Sequence, residues 1–190
     1  MDGSRPSDEA LMLRYASGEA AAFEMLYRRH RGPVLRFIAR QVPDRAVAEE
    51  LFQDVWTSVV RSRDRYTVKA RFTTFVYRIA HNRVVDHWRV AGRAAAVFES
   101  GAPEADPPPD SGAPSIERAV HADRQVARLV ALVEALPPEQ KEAFLLSQEG
   151  GLGVEAIAEV TGVGVETAKS RLRYAIAKLR QGLAEEEEAR

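Results

Sequence analysis

The stretch GAPEADPPPDSGAP, Gly101–Pro114, constrains this chain more than any other. Proline, glycine, aspartate and serine dominate it. Such a composition buries too little apolar surface to offset the entropy of ordering its backbone, so it reads as a flexible or extended linker. It divides the 190 residues into two pieces, each of which must build its own core. The expected division is a first domain over 1–93, a linker over 94–114, a second domain over 115–184 and an acidic tail over 185–190.

On both sides of the linker apolar residues recur every three or four positions. β-Branched residues nowhere alternate with polar ones, so the fold class is all-α: two helical domains joined by an acidic, proline-rich linker. Ser7 or Asp8 caps a first helix carrying Leu11, Met12 and Tyr15. Ser17-Gly18 breaks it, and a second helix sets Phe23, Leu26, Tyr27 and His30 on one side. Gly32-Pro33 interrupts again, with Pro33 in the first turn of a third helix bearing Val34, Leu35 and Ile38. Asp44 caps a fourth, Arg45–Val60. Its apolar face includes Leu51, Val55 and Trp56, and its polar, acidic face is Glu49, Glu50, Gln53 and Asp54. A short polar segment, Arg61–Ala70, follows.

The next helix, RFTTFVYRIAHNRVVDHWR over Arg71–Arg89, has two distinct faces. Phe72, Phe75, Val76, Ile79, Ala80, Val84 and Trp88 form an apolar stripe. Arg71, Thr74, Arg78, His81, Asn82, Val85 and Arg89 lie opposite, with Tyr77 beside them. That outer face offers cations for phosphate, hydrogen-bonding groups for base edges and a ring for stacking. An ordinary solvated helix face is the competing reading.

The second piece reads as a helix over Ser115–Leu136, another opened by Pro137-Pro138 and ended by Gly150-Gly151, a short one over Val154–Val160, and a last one over Val165–Leu183. The glycine turn Thr161–Gly164 between the final two gives a helix-turn-helix pattern. The second helix of such a motif enters the major groove by its N-terminal half. There Glu166, Thr167, Lys169, Ser170, Arg171, Arg173 and Tyr174 are the exposed candidates. Lysine and arginine pair with guanine edges or phosphate, and glutamate accepts from cytosine. A helical bundle contacting protein alone is the alternative.

Formal net charge is −1, so the whole molecule is no polycation, but charge is unevenly spread. Nine Lys/Arg lie between Arg61 and Arg93 against Asp64 and Asp86, whereas Ala94–Glu117 carries five acids and no Lys or Arg. A basic surface followed by a segment that phosphate repels is the pattern of a nucleic-acid partner. The chain has no cysteine, which excludes disulfides and thiolate metal sites. No apolar run reaches the length of about 18 residues expected of a membrane span. With no signal-type h-region, the expected compartment is the cytoplasm. In HNRVVDH, His81 and His87 fall on different helical faces, so a metal nuclease is disfavoured. A helix-turn-helix repressor or activator, binding operators unaided as a dimer, is the other rival.

Together these residues resemble the extracytoplasmic-function sigma factors, the small two-domain initiation factors of bacterial RNA polymerase. The resemblance spans about 8–93 and 116–183. AEELFQDVW, Ala48–Trp56, resembles the family's core-binding segment. The Arg71–Arg89 helix, with Asn82 and Asp86 in N-x-x-x-D spacing, resembles its minus-ten reading and melting segment. ALPPEQKEAFLL and GLGVEAIAEVTGVGVETAKSRL, Ala135–Leu146 and Gly151–Leu172, resemble its minus-thirty-five-binding domain. Phe75 stands where the family commonly has Trp, Ala168 where it has Val, and Tyr174 and Ile176 where it often has Arg. Lys169, Ser170 and Arg171 therefore carry the strongest expectation of minus-thirty-five contact.

The resemblance implies no catalysis and no cofactor. It implies binding to the clamp helices of the largest core polymerase subunit through Glu49, Glu50, Leu51, Gln53, Asp54 and Trp56. Minus-ten contacts would come from Arg63, Arg65, Lys69, Arg71, Thr74, Tyr77, Arg78, His81, Asn82 and Arg89. Asp86 would orient a neighbouring Arg or Asn. The acidic linker would thread toward the RNA exit path, and an anti-sigma factor would hold the protein inactive.

Overall fold

The computed structural model describes residues 6–68, 70–97 and 118–188, with side chains described for 6–68, 70–92 and 126–184. Most of the expected linker, and Lys69, lie outside the described residues. Helices alone make up the regular structure of the described residues: α1 Asp8–Ala16, α2 Ala20–Ala39, α3 Arg45–Arg61, a 3₁₀ turn Arg63–Arg65, α4 Phe72–Val97, α5 Arg118–Glu134, α6 Pro138–Gly150, α7 Val154–Thr161 and α8 Val165–Glu188.

Local chemistry explains most boundaries. Ser7 Oγ accepts from the Ala10 N–H, and Asp44 Oδ1 accepts from Ala46 and Val47, so α1 and α3 begin on side-chain caps. Pro138 occupies the first turn of α6, where no N–H is missed. Gly151 and Gly162 end α6 and α7 at φ of 61° and 69°, the left-handed conformation that a side chain disfavours.

The expected break at Gly32-Pro33 is absent: α2 runs unbroken through both. Proline removes one helical hydrogen bond, and its ring normally crowds the Cβ of the residue before it. Gly32 has no Cβ to crowd. Val34, Phe37 and Ile38 just beyond are fully buried, so tertiary packing offsets the lost bond.

α1–α4 form the first half, around Leu11, Met12, Leu26, Phe37, Val55 and Phe72. Phe23, Tyr27, Phe52 and Trp56 stack between α2 and α3, with ring centroids 4.9–6.3 Å apart. α5–α8 form the second half, around Ala143, Leu146, Ile157, Ala168 and Leu179. The two halves do not stand apart. α7 packs on α4, and α6 packs on α2 and α4, so the buried residues form one continuous cluster.

Candidate nucleic-acid interface

In the first half a run of exposed cations follows α3. Arg63, Arg65 and Arg71 are exposed on the segment between α3 and α4, and Arg78, Asn82 and Arg89 are exposed along α4. Asp86 Oδ1 accepts from Arg89 Nη2 at 2.7 Å, so this carboxylate orients a guanidinium. Between segment and helix lies a cleft of about 500 Å³ whose lining includes Arg61, Arg65, Tyr66, Phe75, Arg78 and Glu159. Tyr66 and Phe75 meet edge to face at 5.4 Å, giving the cleft an aromatic wall beside its guanidinium groups. Cations around an aromatic wall suit an unstacked nucleotide.

Three residues of the expected outer face are turned inward. Tyr77 is fully buried, Thr74 is 4% exposed, and His81 is largely covered. Trp88, expected inside, is 48% exposed. Periodicity identified one buried stripe because it assumed one packing partner. In the folded chain α4 is sandwiched: α1, α2 and α3 cover one side, while α6 and α7 cover another, on which Thr74, Tyr77 and His81 lie. Beyond that sandwich, Trp88 emerges beside Val85, Pro43 and Pro138 in a shallow groove of about 510 Å³.

The contact between halves has a consistent polarity. His81 Nδ1 lies 2.6 Å from Glu142 Oε1, with both side chains 14% exposed. Arg36 donates to Glu149 at 2.7–2.8 Å. Arg40 and Glu134, and Arg78 and Glu159, approach to 3.8 Å. In each of these pairs the basic group belongs to the first half and the carboxylate to the second. Tyr77 sits at the centre, edge-on to Phe37 at 5.2 Å. A Cβ added to Gly150 would lie 3.1 Å from the Tyr77 ring, so any larger residue there would make the ring shift by a few tenths of an ångström. Among the described residues the Tyr77 hydroxyl has no hydrogen-bond partner, and burial pushes its pKa far above the ordinary tyrosine range. An unsatisfied buried hydroxyl costs roughly 1–3 kcal/mol.

On α3, Glu49, Glu50, Gln53 and Asp54 form an exposed polar strip. Leu51 and Trp56, expected to contact polymerase, are instead buried beneath it at 9% and 5% exposure. They belong to the core because α3 packs that face on α2. In the second half, α7, the turn at Gly162 and α8 make the helix-turn-helix. Glu166, Thr167, Lys169, Arg173 and Tyr174 are exposed on α8, with Ser170 and Arg171 half-buried. The Arg173 guanidinium lies 5.1 Å from the Tyr174 ring centroid, a cation–π pair. Ala168 is fully buried and faces the core.

Comparison with known proteins fits this geometry. Sigma-70 region 2 matches residues 26–94, and Sigma-70, region 4 matches residues 127–179. The RNA polymerase sigma factor CarQ of Myxococcus xanthus is 35% identical over 176 residues, covering 92% of this chain and 96% of CarQ. The ECF RNA polymerase sigma factor SigK of Mycobacterium sp. (strain KMS) is 33% identical over 178 residues, covering 92% and 90%. The chain belongs to the extracytoplasmic-function sigma factors.

As a sigma factor it directs core RNA polymerase to specific promoters and initiates transcription. Two solved structures share its fold. CnrH, in complex with the cytosolic domain of CnrY, superposes with a TM-score of 0.65 at 21% identity, covering 94% of this chain and 98% of that one. The sigma factor RpoE of Bartonella quintana, in complex with the anti-sigma factor NepR, gives 0.67 at 20% identity, covering 85% and 96%. No described helix of this sigma factor is long and apolar enough to cross a membrane.

Proposed function

We propose that this sigma factor rests with its minus-ten helix closed against its own second half, and that core polymerase draws the halves apart to expose it. The observation that carries this reading is the run of carboxylates, Glu134, Glu142, Glu149 and Glu159, set against Arg40, His81, Arg36 and Arg78. Carboxylates paired with these basic groups compete with phosphate for them.

In the open state 1–93 would act as the minus-ten module and 115–184 as the minus-thirty-five module. Arg63, Arg65, Lys69, Arg71 and Arg89 would hold phosphates, and Asn82 would meet a base edge. His81 and the Tyr77 ring would become available to an unpaired base beside Arg78. Lys169, Ser170 and Arg171 would read the upstream duplex. Glu49, Glu50, Gln53 and Asp54 would dock on the clamp helices, with Leu51 and Trp56 supporting them from below. RNA synthesis stays with polymerase, and the protein works in the cytoplasm. An anti-sigma factor, like the one bound to the Bartonella protein, would act by keeping the halves together.

Run-off transcription with purified core enzyme and genomic DNA tests the reading. Discrete transcripts should require this chain, and a variant with Glu142 and Glu149 replaced by alanine should bind promoter DNA at lower core concentration. Equal concentration requirements for the two proteins would refute closure as a restraint.

A further inference from the structure

The minus-ten helix starts without a cap of its own. Arg71 is the residue before its first turn, as the Phe75 N–H to Arg71 carbonyl bond shows, and arginine has no side-chain acceptor. Its first turn contains no acidic residue. Helix N-termini leave N–H groups unsatisfied and favour negative charge beside them. Both needs are met from far away in sequence: Glu9 Oε1, on α1, accepts the Phe72 N–H at 2.8 Å across 63 residues.

The neighbouring residue fixes where Glu9 sits. Asp8 accepts from Arg29 at 2.7 Å and lies 2.7 Å from His30, both on α2. Arg29 also donates to the Pro6 carbonyl at 2.8 Å. Consecutive carboxylates thus tie the start of α1 to two different helices. His30 in turn lies 5.3 Å from the Phe72 ring. Farther along α1, the Tyr15 ring receives the Arg63 guanidinium at 5.7 Å. The segment carrying Arg63, Arg65 and Arg71 is therefore braced by α1 at both ends, at its 3₁₀ turn and where it enters α4.

We infer that Glu9 is a positioning residue for promoter opening: by capping α4 from α1 it fixes where that helix begins, and with it Arg71, one of the cations that hold the melted strand. This rests on the assignment of Arg71 to the minus-ten strand. Glu9 itself touches no DNA, since a carboxylate committed to a helix N-terminus repels phosphate.

The test uses the full chain with core polymerase on a promoter fragment recovered by genomic run-off. Wild type, Glu9→Ala and Glu9→Gln are compared for core affinity, for strand opening by permanganate reactivity, and for thermal melting. Losing a cap typically costs ~1 kcal/mol, so Glu9→Ala should slow opening roughly fivefold. Core affinity should stay within about twofold, because the α3 strip is untouched. The amide of Glu9→Gln still accepts an N–H and should restore most of the opening rate. Equal opening by Glu9→Ala and wild type would overturn the inference. So would a loss matched by an equal loss of core affinity, or one that Glu9→Gln fails to repair. Failure of the wild type to open any promoter would instead remove the functional reading beneath it.

Discussion

Replacing Glu142 by alanine should loosen the closed state more than removing Glu149 or Glu159, two other carboxylates paired across the contact between halves. The ranking follows from exposure. His81 and Glu142 are each 14% exposed and 2.6 Å apart, so water competes poorly for their bond. A hydrogen bond to a charged group contributes about 1.5–3 kcal/mol, a roughly ten- to hundredfold change in the ratio of closed to open. Arg36 is 55% exposed, so Glu149→Ala should cost less than about 1 kcal/mol. Arg78 and Glu159 are 60% and 49% exposed at 3.8 Å, and Glu159→Ala should cost about 0.5 kcal/mol or less. The absence of cysteine allows dyes at Met25→Cys on α2 and Glu155→Cys on α7, read by energy transfer across a salt series. Salt screens the exposed pairs first, so Glu142→Ala should open at lower salt than wild type, with unchanged helix content by circular dichroism. Equal opening by Glu159→Ala and Glu142→Ala, or none by Glu142→Ala, would refute the reasoning from exposure.

Other outcomes follow from the same geometry. The Phe72 N–H holds the Glu9 carboxyl below its ordinary 4.5. A depressed folded-state pKa adds stability that is complete above the unfolded value and lost as pH falls through the folded one. Melting temperature should therefore drop below pH 4.5 in part through Glu9, and Glu9→Gln should flatten that part; parallel profiles would contradict it. Glu50→Lys with Asp54→Lys should abolish pull-down of core enzyme while changing stability by no more than about 0.5 kcal/mol. Leu51→Ala should instead destabilise the fold by about 2–5 kcal/mol, because its side chain is buried. Gly162→Ala should cost about 1–2 kcal/mol by chemical denaturation, a purely conformational penalty. At φ of 69° an added Cβ meets nothing within 4 Å, so a neutral result would contradict the turn geometry.

The helices were legible wherever a local signal sufficed. Ser7 and Asp44 announced α1 and α3 by their caps, and Gly162 announced the turn before α8. Pro33 misled because its cost depends on what precedes it and what packs after it, neither of which a breaker rule weighs. Thr74, Tyr77 and Trp88 misled for another reason. A period of three to four fixes which residues share a face, but not how many partners a helix has. The docking of one half on the other buries a second stripe of α4 that no window of the sequence marks. The polar strip of α3 was legible because charge alone defines it; periodicity also set Leu51 and Trp56 on the apolar face, where the fold buries them, and only the resemblance linked them to polymerase. Glu9 left no short-range trace at all, since its acceptor role is created by a contact across 63 residues.

We infer that this sigma factor holds α4 against its own second half until polymerase arrives. Energy transfer between dyes at Met25→Cys and Glu155→Cys, followed as core enzyme is titrated in, measures this directly. Transfer should be high in the free chain and should drop on titration, saturating at one core per chain. Unchanged transfer in a complex that still initiates RNA would contradict the inference.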